Sequence, residues 1–189
     1  MKLVNLIEED FANYRKPGMF LGFPYCSGKC NSPGRTVCQN ESLRHVPERE
    51  LIDISADEIV KRYLKNPITK CLICGGLEPF DSLKDLCKIV KAFRNADSYA
   101  DPIVIYTGYY PFEIKDRINR LLEFNRDRKM IIKFGRFIPG DQPHYDEVLG
   151  VELASDNQYA LVWDVTDDFG WSAIFNYSDE QLAYLDRKD

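Results

Sequence analysis

The sequence predicts an α/β protein: a partial, open (β/α) barrel with a mainly parallel sheet and a C-terminal hairpin/helix extension. Three observations carry this. Short apolar runs alternate with amphipathic stretches of helical period between Ser55 and Phe134; only about four such strand–helix units fit; and beyond Phe134 the pattern changes. Strands alternating with helices imply right-handed βαβ units and a mainly parallel sheet. So few units cannot complete an eight-unit barrel of roughly 250 residues, so the sheet should stay open.

The elements follow in order. Leu3 to Ile7 and Met19 to Tyr25 read as two strands joined by a turn at Lys16-Pro17-Gly18. Cys26 to Pro47 is a polar loop, long for a compact domain and therefore a functional candidate. Ser55 and Glu58 are spaced as a capping box ahead of an apolar face of Ile59, Val60, Tyr63 and Leu64. Thr69 to Cys74 is a short apolar strand. Ser82 to Asn95 is a helix that gathers Leu83, Leu86, Cys87, Val90 and Phe93 on one side. Pro102 to Tyr106 is a β-branched strand, and Pro111 to Phe124 a helix faced by Ile114, Ile118, Leu121 and Leu122. Lys129 to Phe134 is a further strand. After a loop, Ala160 to Val165 and Trp171 to Phe175 read as strands, and Ser178 begins a short helix. In this tail Trp163, Trp171, Phe175 and Tyr177 fit an edge hairpin or a docking surface, and the sequence does not choose.

No repeat, low-complexity tract or linker divides the 189 residues, so one domain is expected, with its core at about 3–160 and an extension over 161–189. The chain is 44% hydrophobic and 29% charged, a globular composition. Its 25 basic and 30 acidic side chains give a net charge of -5, which argues against a general nucleic-acid binder. Met1 to Asp10 carries acids early and no apolar core, and no run approaches a membrane span; a cytoplasmic location without signal peptide is expected. In a reducing compartment six cysteines point to metal or redox chemistry before disulfides.

Cys26, Cys30 and Cys38 follow a strand in a loop poor in large side chains. Thiolates are the standard ligands of iron–sulfur clusters, and three of them leave one iron open to a substrate or cofactor. His45 as a fourth ligand would equally complete a Cys₃His zinc knuckle, so ligand counting leaves the metal open. Cys71 and Cys74 point to opposite faces while the strand persists and are read, with Cys87, as core packing; Cys74 at the cofactor cleft is the lesser reading. His45 and His144 read as solvated loop residues.

An ordered set of motifs now becomes specific. Cys26-Ser27-Gly28-Lys29-Cys30 opens like the cluster loop of the radical S-adenosylmethionine superfamily, and Asn40 two positions after Cys38 suits its subfamily of activating proteins of anaerobic ribonucleotide reductase. Cys74-Gly75-Gly76-Leu77-Glu78-Pro79-Phe80 resembles that superfamily's glycine-rich motif. Ile105-Tyr106-Thr107-Gly108-Tyr109 resembles the next strand end in the activating proteins of anaerobic ribonucleotide reductase. Gly135-Arg136-Phe137-Ile138 followed by Ser155-Asp156-Asn157-Gln158 is similar to their C-terminal signature. The resemblance spans about residues 3 to 160. It departs from the family in two places: seven residues separate Cys30 from Cys38 where the family has two, and Leu77 interrupts Gly-Gly-Glu-Pro. A turn at Pro33-Gly34 would let the longer loop bulge outward.

The resemblance implies a radical S-adenosylmethionine type of fold, a 4Fe-4S cluster on Cys26, Cys30 and Cys38, and reductive cleavage of S-adenosylmethionine to a 5′-deoxyadenosyl radical. It further implies cofactor contacts at Gly75, Gly76 and Glu78. Thr107 and Tyr109 stand at a strand's carboxyl end, where α/β sheets place ligands, although Tyr109 fits a helix entry as well. Asn157 and Gln158 suit adenine or a ribose hydroxyl, or a polar turn. The implied partners are a large glycyl radical enzyme and a reductant such as flavodoxin or ferredoxin, with neither nucleic acid nor membrane. A small-molecule or peptide substrate for the same chemistry, and a non-catalytic zinc or iron–sulfur module, stand as alternatives.

Overall fold

The computed structural model describes residues 1–31, 37–96 and 100–163. Its strands are β1 (Lys2–Leu3), β2 (Asn5–Asp10), β3 (Gly18–Phe23), β4 (Ile52–Asp53), β5 (Leu72–Gly76), β6 (Ile103–Tyr106), β7 (Met130–Phe134), β8 (His144–Asp146), β9 (Val151–Leu153) and β10 (Tyr159–Trp163). Its α-helices are α1 (Ala56–Lys65), α2 (Leu83–Asn95) and α3 (Lys115–Leu122). Six strands form one sheet in the order β10-β7-β6-β5-β3-β2. The middle four are parallel, and β2 and β10 run antiparallel to them at the edges. Strands β1 and β4 form a small pair, and β8 and β9 another.

The parallel strands advance through the sheet in one direction, and the three helices pack on one face of it. Leu72 and Cys74 of β5, Ile103 and Ile105 of β6, and Met130, Ile132 and Phe134 of β7 meet Ile59, Leu86, Ile89, Phe93, Ile118 and Leu121 there. The alternate residues Ile73, Val104 and Ile131 turn to the other face, where Tyr14, Leu149 and Leu153 cover them. Central strands buried on both faces read as continuous apolar runs, which is why β7 is buried throughout. The sequence break in that run, Lys133, belongs to the face opposite the three helices.

Caps and pins set the helix ends. Ser55 Oγ accepts the Glu58 N–H at 3.1 Å and starts α1. The other half of the expected box is exchanged for a surface contact: the Glu58 carboxylate takes the Arg62 Nε–H at 3.3 Å. Arg94, 1% exposed, donates to Asn125 Oδ1 and to the carbonyls of Asp101 and Lys129, pinning the end of α2 to the entrances of β6 and β7.

Several boundaries depart from expectation. The first strand divides at Val4, whose N–H goes to Gly22 O. The strand expected over Thr69 to Cys74 runs as Leu72–Gly76, because Gly75 and Gly76 pair in register with Gly22 and Phe23 of β3. Inter-strand bonding carries β5 through two residues that local propensity reads as a turn. The helix expected over Pro111 to Phe124 starts with a 3₁₀ turn, Pro111–Glu113, before α3. Leu64 leaves the apolar face and is 47% exposed. The β8–β9 hairpin replaces part of the expected loop, and His144 is a half-buried strand residue rather than a solvated one. The Pro33-Gly34 turn, the Trp171 to Phe175 strand and the helix from Ser178 fall outside the described residues. Among the described residues no helix is long and apolar enough to cross a membrane.

Candidate metal centre

A cavity of about 400 Å³ lies at the carboxyl ends of the parallel strands, on the face opposite α1, α2 and α3. Its wall brings together Cys26, Cys30 and Cys38 with Gly75, Gly76, Glu78, Thr107 and Gln158. These eight of the ten expected site residues come from four separate segments. The other two are turned elsewhere: Tyr109 and Asn157 do not line the cavity. The Tyr109 hydroxyl donates to Asp81 Oδ1 at 2.6 Å and lies 2.9 Å from Ser27 Oγ, so it braces the cysteine loop from behind. Asn157 Nδ2 donates to Tyr110 Oη at 3.0 Å and to Arg136 O at 2.9 Å.

The cysteine loop leaves β3 through Tyr25, and the glycine motif leaves β5 alongside it. Leu77 N donates to Phe23 O and Glu78 N to Tyr25 O, so parallel pairing continues past both strands and absorbs the extra Leu77. Gly75 and Gly76 owe their identity to this packing. A Cβ on Gly75 would meet the Phe20 ring at 2.9 Å; on Gly76, where φ is +85°, it would meet Gly22 Cα at 2.8 Å. Asn40 Nδ2 donates to Gly76 O at 2.7 Å and ties the far end of the cysteine loop to the same turn.

The cavity wall carries two buried ionisable groups, one acidic and one basic. Glu78, 5% exposed, accepts from Phe80 N at 3.1 Å, Thr107 Oγ1 at 2.8 Å and Gly108 N at 2.9 Å. Burial outweighs these donors and pushes its carboxyl up to about 7. Lys133 is 7% exposed, donates to Gly135 O at 2.9 Å, and burial pulls its ammonium down to about 8, against the pull of Glu78 in the opposite direction. Sequence reasoning passed over Lys133 and Asn40 as site residues. The signal for the first was there: one Lys inside the run Met-Ile-Ile-Lys-Phe.

The two halves of the C-terminal signature meet across the β7–β10 edge. Ile138 N donates to Ser155 Oγ at 2.9 Å, and Gln158 Nε2 to Gly135 O at 3.3 Å. Both amide side chains, Asn157 and Gln158, thus hold backbone.

All six cysteines are free thiols. Cys71 and Cys74 are fully buried on opposite faces, and Cys87 is buried among the helices, so these three are packing residues and Cys74 lies away from the cavity. Burial raises the thiols of Cys26 and Cys30, and the neighbouring Cys38 and Cys26 raise Cys30 further. Gly28 N donates to Cys26 Sγ at 3.2 Å. His45 turns to Glu41 Oε1 at 3.2 Å, with 73% of its side chain exposed, and does not join the cysteines. Among the described residues no group of three or more His, Cys, Asp or Glu side chains is gathered to hold a metal ion. A cubane cluster, each iron taking one thiolate, asks for wider spacing than a single ion. Three thiols around one cavity, with a backbone N–H already on one sulfur, fit a cluster better than a Cys₃His zinc knuckle.

No curated protein and no solved structure matches the chain. A family model does: residues 19–140, which include all three loop cysteines, the glycine motif and Lys133, match the 4Fe-4S single cluster domain. That match extends over more than half of the 189 residues, and the chain belongs to the 4Fe-4S single cluster domain family.

Proposed function

We propose that this iron–sulfur protein is a radical S-adenosylmethionine enzyme that activates a glycyl radical enzyme such as anaerobic ribonucleotide reductase. One observation carries the reading: Cys26, Cys30 and Cys38 share a single cavity with Gly75, Gly76 and Glu78. Its volume of about 400 Å³ falls within the roughly 300–1,000 Å³ of small-molecule sites. The one-directional strand order with the three described α-helices on one face suits a partial, open barrel of this type, since right-handed crossovers that advance the same way stack on the same side.

In this reading Cys26, Cys30 and Cys38 hold the cluster, and no fourth thiolate of the described residues reaches the cavity. The bound cluster supplies one electron, delivered by a reductant such as flavodoxin or ferredoxin, to break the sulfonium–carbon bond of S-adenosylmethionine into methionine and a 5′-deoxyadenosyl radical. The chain positions and shields. Lys133 sets a cation on the cavity floor for an anionic group, and Glu78 locks Thr107 and Gly108 in place. Phe20, Leu77 and Phe137 line the wall with apolar surface that keeps water from the radical.

The test is anaerobic reconstitution. The protein should take up about four irons and, once reduced, turn S-adenosylmethionine into 5′-deoxyadenosine, and Cys30→Ala should lose both. Mixing with a candidate reductase should then yield a glycyl radical by electron paramagnetic resonance. One zinc with no sulfide after anaerobic purification would sink the proposal.

A further inference from the structure

We infer that Asp81 is a positioning residue for the cysteine loop and sets the reduction potential of the cluster held there. The inference rests on the cluster reading above, and concerns a residue outside the cavity wall.

Asp81 sits in the 3₁₀ turn Pro79–Ser82 that follows the glycine motif. Its Oδ2 accepts the Ser27 N–H at 2.6 Å, across 54 positions of sequence and directly after Cys26. Its Oδ1 accepts the Tyr109 hydroxyl at 2.6 Å and Arg117 Nη1 at 3.1 Å. One carboxylate therefore joins the cysteine loop, the end of β6 and helix α3. Ser27 Oγ, 2.9 Å from the Tyr109 hydroxyl, closes the same ring of contacts. Only 14% of the Asp81 side chain is exposed, against 42% for Arg117.

Two consequences follow. The Ser27 amide is held toward Asp81, so of the two amides after Cys26 only that of Gly28 reaches Cys26 Sγ, at 3.2 Å. Hydrogen bonds to cluster sulfurs and nearby charge set the potential. A carboxylate beside the loop disfavours addition of an electron, and by occupying the Ser27 N–H it keeps a second donor from the sulfur. Both effects lower the potential. Arg117 opposes the first, so the ion pair works as a balance whose two halves pull in opposite directions.

The experiment uses the anaerobically reconstituted full chain and reads iron content and the midpoint potential by redox titration followed with electron paramagnetic resonance. Asp81→Asn should keep iron binding and shift the potential to more positive values. Arg117→Gln, which leaves Asp81 in place without its cation, should shift it to more negative values. Asp81→Glu, with the charge retained, should stay nearer the wild type than Asp81→Asn. A purely structural contact would change stability in all three without opposite shifts. Wild-type potentials in both Asp81→Asn and Arg117→Gln overturn the inference; should Asp81→Asn fail to fold, an unshifted Arg117→Gln does so alone. A wild-type protein that takes up no iron overturns instead the cluster reading, and this inference with it.

Discussion

The side-chain amide of Asn40 donates to the carbonyl of Gly76 at 2.7 Å, linking the cysteine loop to the glycine motif across 36 positions of sequence. Both residues line the cavity, so the bond fixes how the two halves of its wall face each other. Replacing Asn40 with Ala removes one hydrogen bond of about 1 kcal/mol. Under the proposed function, binding of S-adenosylmethionine to the reconstituted protein should weaken roughly fivefold, with iron content kept. Anaerobic equilibrium dialysis reads both, and unchanged affinity would show the bond to be idle.

Gly76→Ala asks a side chain to adopt φ of +85° within 2.8 Å of the β3 backbone. The strain should cost on the order of 1–3 kcal/mol or more. Urea unfolding of the apoprotein measures it; a change below about 0.5 kcal/mol would contradict the pairing of β5 with β3 at this point.

The six thiols divide three and three. Single Ala replacements of Cys26, Cys30 or Cys38 should each abolish cluster uptake, whereas Cys74→Ala should retain about four irons and lose roughly 1 kcal/mol of stability. Iron and sulfide analysis beside a thermal melt separates the groups. Loss of iron in Cys74→Ala would reassign that thiol.

Glu78 makes the apoprotein's stability depend on pH. Its carboxyl is raised from an ordinary 4.5 to about 7 by burial, so between those values the folded state holds a proton that the unfolded state has released. The contribution of Glu78 to stability then falls as pH rises from 4.5 toward 7, by on the order of 1 kcal/mol per pH unit. Glu78→Gln should flatten this segment of the curve. Denaturant midpoints from pH 4 to 8 supply the comparison (roughly half a unit apart suffices to resolve the slope), and equal slopes in both proteins would refute the assignment.

What the sequence determined is local in origin. The change between apolar runs and helical period marks β5, α2, β6, α3 and β7 because each element needs one buried face wherever it packs. Cys26, Cys30 and Cys38 mark a candidate metal-binding loop because three thiols in a polar stretch have little packing reason to be there. The opposite facing of Cys71 and Cys74 follows from strand geometry alone. Tertiary structure decided everything that depends on a partner in space. Pairing with Gly22 and Phe23 drew Gly75 and Gly76 into β5, and three-residue strands too short to show a period became the β8–β9 hairpin. Past Tyr106 the chain bends at Gly108 and Tyr109, so Thr107 reaches the cavity while the Tyr109 hydroxyl turns behind the loop to Asp81. Only the assembled sheet puts Lys133 beneath the cysteines, because the face a strand residue occupies has no meaning until the helices have claimed the other.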